Sequence, residues 1–337
     1  MRLILLILAL TGVAVAAFWC ASDSADAPSG DMAPEAASGS TNSATGSTNP
    51  AGGSTNSGSG STNPGTGSTN RAPLTRCPGC NQDASLWTKF TASPPPQLRG
   101  KSAALIEASC GRLIFGHEAN VHRPAASLMK IVTSLVVVEN SRPTDIVDIR
   151  VNGWRMAAED GSSIMGLEEG MRLPVEELLY GLLFRSGNDA AVALSDHLGP
   201  RTVELLNAKV RSMGLTDTAL QNAHGLDAEG AYSTPFDMAI LGRELLNVPY
   251  LRSIVSSKYH ATDWSPPGME NGNWFMYVYP GAVGVKTGYT DAAGGTIVSA
   301  VERDGRLLIL SVFDSPDAFV DSTRVFDWVF ANVPPAC

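Results

Sequence analysis

Two pairs of short apolar runs lie near the ends of the region 94–333, and turn residues bound each run. Runs of this length and composition are typical of buried β-strands. The second pair flanks Asp304-Gly305, a strong hairpin signal, and the first flanks the turn at Ser109-Cys110-Gly111. The predicted strands are residues 103–107, 112–115, 295–302 and 307–313.

Between these strand pairs, apolar residues recur at spacings of three and four, which indicates amphipathic helices. The predicted helices are residues 126–140, 175–184, 189–198, 202–213 and 234–246. A helical middle between two terminal strand pairs predicts an α+β fold, in which helices flank an antiparallel β-sheet. The region is long enough for one domain with a single active site.

Residues 3–17 form an apolar run behind a single basic residue, Arg2, which is typical of an export signal, and the run can also be read through Ala21. The run approaches the ~20 residues that span a bilayer, so the pattern leaves open a cleaved signal peptide or an N-terminal membrane anchor. Phe18 and Trp19 precede Cys20 and disfavour lipidation, because a lipobox has small residues there. Either alternative places the protein outside the cytoplasm, in the cell envelope or secreted.

Residues 22–76 are expected to form a disordered linker. The tetrapeptide Gly-Ser-Thr-Asn recurs every seven residues, beginning at Gly39, Gly46, Gly53, Gly60 and Gly67. These repeats lack the apolar a and d positions of a coiled coil, so no helical seam can form. A flexible Gly-rich chain of this length has a reach of about 40 Å, enough to hold the domain away from a membrane surface. An insertion without that role is the alternative.

The whole chain has 337 residues and a net charge of -9, with 44% hydrophobic residues. The hydrophobic content supports a sizeable core, which excludes a wholly disordered chain. A net negative charge is the opposite of the basic surface that phosphate backbones require, so nucleic acid is excluded as an expected partner.

Four cysteines remain besides Cys20: Cys77 and Cys80 in a lead-in segment, residues 77–93, Cys110 in the domain and Cys337 after it. An even number of cysteines in an exported chain favours disulfides over a redox Cys77-Pro-Gly-Cys80 motif or a zinc site, since no His or Cys pair at matching spacing completes a metal site. The favoured pairing joins Cys77 and Cys80 to Cys110 and Cys337, although four cysteines allow three connectivities.

Candidate chemistry begins at Ser127 and Lys130, which lie one helical turn apart in a predicted buried helix. A lysine near the start of such a helix is partly desolvated, and desolvation lowers its pKa so that the neutral amine can act as a base. An ordinary serine with a snorkelling lysine is the bland alternative. However, no other of the six lysines has a serine three residues before it.

Two further motifs have little value alone. Ser186-Gly187-Asn188 falls at the break between two predicted helices, and Lys286-Thr287-Gly288 follows an apolar run predicted to be a strand. Glycine at 288 would let a ligand approach the backbone. In the order S-x-x-K, S-x-N and K-T-G, however, the three form the signature of the penicillin-recognising serine enzymes.

The region from about residue 94 to the C-terminus closely resembles the D-alanyl-D-alanine carboxypeptidases of the low-molecular-mass penicillin-binding proteins, the S11 peptidase family. The resemblance implies the penicillin-binding protein and serine β-lactamase-like transpeptidase fold with a helical subdomain. It implies no cofactor and no metal. It rests on residues 125–130, 186–191, 224–227, 279–281 and 286–294, which read AASLMK, SGNDAA, HGLD, YPG and KTGYTDAAG.

The resemblance also implies how the bond-breaking steps are divided among side chains. Ser127 would be the nucleophile, Lys130 the base that takes its proton, and Ser186 the relay of a proton to the departing D-alanine. The backbone N–H groups of Ser127 and Tyr289 would form the oxyanion hole.

The remaining motif residues would bind the substrate, a peptidoglycan stem peptide, and β-lactam antibiotics would act as covalent inhibitors. Asn188 would hydrogen-bond the substrate amide, and Lys286 would supply positive charge. Thr287 would hold the terminal carboxylate, with Gly288 leaving room beside the strand.

Two departures from the family pattern stand out. Many members carry an arginine before the last helix that helps to bind the carboxylate, but residues 314–321 contain none. Arg324 is a possible substitute on the predicted final helix. Relatives also often continue into a C-terminal β domain and an anchoring helix, so membrane attachment here is expected to be N-terminal.

Two alternative functions remain. A class A-like serine β-lactamase would have Ser-Asp-Asn and an E-x-x-x-N loop, whereas this chain has Ser186-Gly187-Asn188 and only Glu204-Leu-Leu-Asn207. A tethered non-catalytic module that binds penicillin or the cell wall would be expected to lose the nucleophile or the base, and both are present.

Overall fold

The central sheet has five antiparallel strands, and the computed structural model describes residues 93–264 and 268–337. Along the sheet, the strands lie in the order β2-β1-β9-β8-β7, so β7 is an edge strand. The strands are β1 (Ser102–Glu107), β2 (Arg112–His117), β7 (Ala282–Thr290), β8 (Gly294–Arg303) and β9 (Arg306–Ser315).

Alternation along the central strands buries apolar side chains on both faces of the sheet. On β9, Leu308, Leu310 and Val312 belong to one hydrophobic cluster, whereas Ile309 belongs to the other. This follows from the two-residue period of a strand, which sends successive side chains to opposite faces. Both predicted hairpins are confirmed, and the second turns at Asp304 and Gly305, which have φ of 54° and 74°.

Helices cover both faces of the sheet. On one face α6 packs against β1 and β9, and on the other α9 packs against β8 and β9. This layering confirms the predicted α+β fold. The helices are α1 (Lys130–Asn140), α2 (Gly153–Asp160), α3 (Val175–Phe184), α4 (Asn188–Leu198), α5 (Thr202–Ser212), α6 (Pro235–Asn247), α7 (Pro249–Ser256), α8 (Phe275–Val278) and α9 (Ala318–Asn332).

The helical middle contains two small antiparallel ribbons that the periodicity did not predict. One pairs β3 (Ile146–Asp148) with β4 (Arg172–Pro174), and the other pairs β5 (Tyr259–Ala261) with β6 (Gly268–Glu270). Each strand has only three residues, too few for an alternating pattern to stand out. Helices α1, α3, α4 and α5 pack together beside the first ribbon and form the helical subdomain.

The predicted export signal, linker and lead-in segment, residues 1–93, lie outside the described residues apart from Ser93. Within the described ranges, none of the helices is long and apolar enough to cross a membrane. In the same ranges, no group of three or more His, Cys, Asp or Glu side chains is arranged to hold a metal ion.

The C-terminus returns to the β1–β2 hairpin, and a disulfide joins Cys110 to Cys337. The favoured pairing of these two cysteines with Cys77 and Cys80 is therefore wrong. The C-terminal tail lies beside Cys110 because a buried ion pair, 2.8 Å long, joins Arg306 to Glu107. Arg306 also donates to the carbonyl of Val333, which holds the tail beside the hairpin turn.

Replacing both Cys110 and Cys337 with serine is expected to lower the free energy of unfolding by about 2–5 kcal/mol. The bridge spans 227 residues of sequence and so restricts a large part of the unfolded chain. Urea denaturation of the oxidised wild type and of the double variant measures the difference. A change within about 0.5 kcal/mol would show that noncovalent contacts hold the tail without the bridge.

Candidate active site

The segment that carries Ser127 is a 3₁₀ helix, Ala126–Met129, which leads directly into α1. The single helix predicted for residues 126–140 is therefore wrong in its first turn. Residues three apart eclipse each other in a 3₁₀ helix, so Ser127 and Lys130 share one face more closely than in an α-helix. Ala126 begins the segment with φ of 50°, a left-handed conformation that is costly for alanine.

Packing against a glycine holds this strained start in place. A Cβ atom on Gly225 would collide with the carbonyl oxygen of Ala126, and Gly225 itself has φ of 84°. Only glycine fits this close approach and this backbone conformation. The 224–227 motif therefore fixes the backbone of the serine-bearing segment.

Lys130 is completely buried and its amine reaches three oxygen atoms. Its Nζ lies 2.9 Å from Ser127 Oγ, 2.6 Å from Asn188 Oδ1 and 2.6 Å from the carbonyl oxygen of His224. A neutral amine has two hydrogens and one lone pair. The amide and carbonyl oxygens can only accept, so they take the two hydrogens and leave the lone pair directed at Ser127 Oγ.

Burial lowers the pKa of Lys130 well below its ordinary value of 10.5, and the charge of Lys286 lowers it further. The negative charge of Asp189 opposes both effects in part. Desolvation disfavours the ammonium form because its hydration is lost without full replacement. The arrangement therefore favours a neutral amine against a serine hydroxyl.

Asn188 connects Lys130 to a neighbouring loop. While its Oδ1 accepts from Lys130, its Nδ2 donates to Ser162 Oγ at 2.9 Å, and its backbone N–H donates to the carbonyl of Ser163 at 2.8 Å. The second hydrogen on Nδ2 has no described partner and can donate to a bound molecule.

Asp189 fastens that loop from the first turn of α4. Its buried carboxylate accepts from the backbone N–H groups of Met165, Gly166 and Leu167 at 2.9–3.0 Å and from that of Ala190 at 2.9 Å. The N-terminus of a helix also favours a negative charge. Asp189 therefore positions the loop that in turn supports Asn188.

Replacing Asp189 with asparagine is expected to lower the free energy of unfolding by about 2–4 kcal/mol. An amide has only one acceptor oxygen, so buried backbone N–H groups would lose their partner. The matched control is Asp196→Asn on the exposed side of the same helix, expected to stay within about 0.5 kcal/mol of the wild type. Urea denaturation of both variants checks this; equal midpoints would contradict the anchoring role.

Ser186 occupies the junction between α3 and α4, as its motif predicted. It has φ of 56°, an uncommon conformation for serine. Its side chain is half-buried and has no hydrogen-bond partner among the described residues. A strained serine with a free hydroxyl beside Asn188 is available to a bound molecule.

Strand β7 brings the third motif to the 3₁₀ helix. A Cβ atom on Gly288 would lie 2.9 Å from the backbone nitrogen of Ser127 and 2.6 Å from Thr296 Oγ1. The strand can approach the serine this closely only because residue 288 is glycine. Thr287 is half-buried, whereas Tyr289 is 68% exposed.

Lys286 is the second buried lysine of the site, with an exposed fraction of 1%. Its Nζ donates to the carbonyl of Thr287 at 2.8 Å. Burial lowers the pKa of Lys286 to about 7. The pKa of His224 is lowered to about 4, first by burial and then by the charge of Lys130, so its ring is neutral at neutral pH.

The structure thus brings residues 127, 130, 188 and 288 into direct contact, and it places 186, 286, 287 and 289 on adjoining elements. Sequence reasoning missed Ser162, Asp189 and the His224 carbonyl as supports. The 224–227 motif and the SGNDAA motif contain two of these residues, but backbone acceptors leave no compositional signal. Arg324 is exposed on α9 and has no ion pair or hydrogen bond with a described site residue.

The sequence matches the D-alanyl-D-alanine carboxypeptidase family, peptidase S11, over residues 88–317. It is 33% identical over 253 residues to D-alanyl-D-alanine carboxypeptidase DacA of Escherichia coli K12, covering 70% of this chain and 62% of that protein. It is 30% identical to DacB2 of Mycobacterium tuberculosis, covering 72% of this chain and 86% of that protein.

Solved structures show the same similarity. A D-alanyl-D-alanine carboxypeptidase from Mycobacterium tuberculosis H37Rv has a TM-score of 0.67 and 29% identity, with 73% of this chain and 97% of that chain covered. The Streptomyces K15 DD-transpeptidase has a TM-score of 0.67 and 25% identity, with 71% of this chain and 100% of that chain covered. The chain spans less than two thirds of the Escherichia coli relative's length.

Proposed function

Because the chain belongs to the D-alanyl-D-alanine carboxypeptidase family, we propose that it is a serine-type carboxypeptidase that removes the terminal D-alanine from peptidoglycan stem peptides. Residues 94–333 form its catalytic domain. The observation that carries the proposal is the 2.9 Å approach of the buried Lys130 amine to Ser127 Oγ. The two other neighbours of that amine are acceptors, which leaves a neutral lysine only one direction in which to take a proton.

In the acylation step, Ser127 Oγ attacks the carbonyl carbon between the two D-alanines while Lys130 Nζ takes the hydroxyl proton. A C–O bond forms, and the C–N bond to the terminal D-alanine then breaks. The leaving amine takes up the proton that Lys130 accepted, and Ser186, at the junction between the helices, relays it, so that Lys130 returns to its neutral form. General acid and base groups of this kind each accelerate such a step by about 10²–10⁴-fold.

Charge that develops on the carbonyl oxygen is stabilised by two backbone N–H groups. Ser127 lies in the first turn of its helix, where N–H groups have no intrahelical partner. The N–H of Tyr289 completes the oxyanion hole from β7. Fixed donors aimed at developing charge are usually the largest single contribution in acyl transfer.

The substrate binds along β7, whose outer edge is not covered by another strand of the described residues. An extended peptide can add to such an edge as a further strand. Thr287 and the ammonium group of Lys286 hold the terminal carboxylate. Asn188 donates to the substrate carbonyl, and Gly288 leaves room for the peptide to approach the strand.

Water releases the acyl-enzyme, and the two products are D-alanine and a shortened stem peptide. β-Lactams acylate Ser127 by opening their strained amide and remain bound. Among the described residues, no Asp or Glu side chain hydrogen-bonds to Ser127 or Lys130, and a class A-like β-lactamase needs a glutamate that activates water. The complete Ser127–Lys130 pair disfavours a non-catalytic module.

The site of action follows from the substrate, since peptidoglycan lies outside the cytoplasm. The N-terminal apolar run supports export, with residues 1–21 as a signal peptide or membrane anchor and residues 22–76 as the tether. The protein acts in the cell envelope.

Two measurements on the purified protein test the function together. Incubation with diacetyl-L-lysyl-D-alanyl-D-alanine should release free D-alanine, and mass spectrometry after exposure to benzylpenicillin should find a persistent adduct on the peptide containing Ser127. Rapid loss of the adduct with penicillin turnover would favour the β-lactamase. If the measurements detect no free D-alanine and no adduct, the proposed chemistry is wrong.

A further inference from the structure

A cavity of about 370 Å³ lies beside the serine-bearing segment, and the described residues that line it include none of those given a catalytic or substrate-binding role above. Its lining includes Ala126 and Met129 on one side and Leu226 on the other, with Ala292 from the turn after β7. The cavity therefore lies between the 224–229 segment, the start of α1 and the end of β7.

The charged side chains among the described residues that line this cavity are all negative. Its lining includes apolar side chains, the amides of Gln221 and Asn222, and the two carboxylates Asp227 and Glu229, both exposed to solvent. None of the described residues that line it is a lysine, arginine or histidine. An apolar wall with a negative rim suits a flexible alkyl chain that ends in a positive charge, because the stem packs while the head remains hydrated.

The direction of β7 relates the cavity to the substrate. With the terminal carboxylate at Thr287, the acyl part of the peptide extends the other way, toward Thr290. Thr290 Oγ1 donates to Asp227 Oδ1 at 2.9 Å, which ties this end of β7 to the cavity wall. An extended peptide advances about 3.3 Å per residue, so the residue before the two D-alanines lies toward the Thr290 end of the strand, which Asp227 joins to the cavity wall.

The geometry points to a subsite for the side chain of the third stem-peptide residue, selective for one that ends in an ammonium group. The inference rests on the proposed function and deepens it. Glu229 supplies the selectivity, since it has no ion-pair partner within the described residues, while one oxygen of Asp227 is already engaged by Thr290. A side chain whose amine is acylated loses the attraction.

The test compares two peptides, Nα-acetyl-L-lysyl-D-alanyl-D-alanine with a free ε-amine and its diacetyl counterpart. Selectivity is the ratio of their kcat/KM values, measured through D-alanine release. We expect the wild type to favour the free amine and the ratio to fall about threefold in Glu229→Gln, the scale of an exposed ion pair. Glu229→Lys should lower it further, and 0.5 M NaCl should lower the ratio of the wild type because salt screens exposed charges.

Asp196→Asn is the matched control, because it removes one exposed carboxylate far along α4 and should keep the wild-type ratio. If the wild type releases D-alanine from both peptides and the ratio is the same in both Glu229 variants, the subsite is wrong and the proposed function stands. If the wild type releases D-alanine from neither peptide, the proposed function is wrong, and the subsite proposal, which rests on it, is wrong as well.

Discussion

Replacing Ser127 with alanine is expected to abolish D-alanine release and penicillin labelling together. Among the described residues, Lys130 is the only lysine whose amine hydrogen-bonds to a serine hydroxyl, and that hydroxyl belongs to Ser127. Removal of the nucleophile from a serine acyl-transfer enzyme reduces turnover by about 10⁶-fold. The substitution removes one oxygen at a half-buried position, so the fold is expected to remain intact.

The measurement is steady-state D-alanine release combined with mass spectrometry of the penicillin-treated protein. Ser212→Ala, at the end of α5, is a control with the same chemical change outside the site and should match the wild type. Penicillin labelling of Ser127→Ala at the wild-type rate would assign the nucleophile to another residue.

The second large effect concerns the protonation of Lys130. Only the neutral amine can accept the Ser127 proton, and a lower pKa raises the neutral fraction at any given pH. Burial and the charge of Lys286 both lower the pKa of Lys130. Acylation by a penicillin should therefore increase with pH, with an apparent pKa well below 10.5 that belongs to the lysine pair.

Lys130→Arg should reduce acylation by about 10²–10⁴-fold at every pH, because a guanidinium cannot become neutral in a protein. Stopped-flow or quenched acylation between pH 5 and about 10 measures both effects. Lys258→Arg makes the same change at an exposed position and should retain the wild-type profile. Near-UV circular dichroism distinguishes lost chemistry from lost folding; a folded Lys130→Arg that acylates within tenfold of the wild type would require another base.

Local patterns predicted the regular elements well where the elements are long. The helix predicted at residues 175–184 coincides with α3, and the four predicted strands fall within β1, β2, β8 and β9. Repeated apolar spacing over many residues carries this information. It fails for the three-residue strands β3 to β6 and for the 3₁₀ start of residues 126–129, since one turn of 3₁₀ helix and one turn of α-helix have nearly the same spacing.

The disulfide shows a second limit of prediction from sequence patterns. Counting cysteines correctly predicted a bridge, but the partner of Cys110 depends on where the C-terminal tail returns. A buried ion pair between Glu107 and Arg306, 199 residues apart, helps to set that path. No local pattern near Cys337 records it.

The sequence by itself determined the α+β order of elements and the three motifs, because both depend on residue types at short, fixed spacing. Only the tertiary structure decided what surrounds Lys130. Its acceptors on Asn188 and His224 lie 58 and 94 residues away, and one of them is a backbone carbonyl that any residue type can supply. The lowered pKa of this lysine is likewise a property of the packed structure, since it arises from burial and from the charge of Lys286 on an edge strand that only the folded sheet brings near.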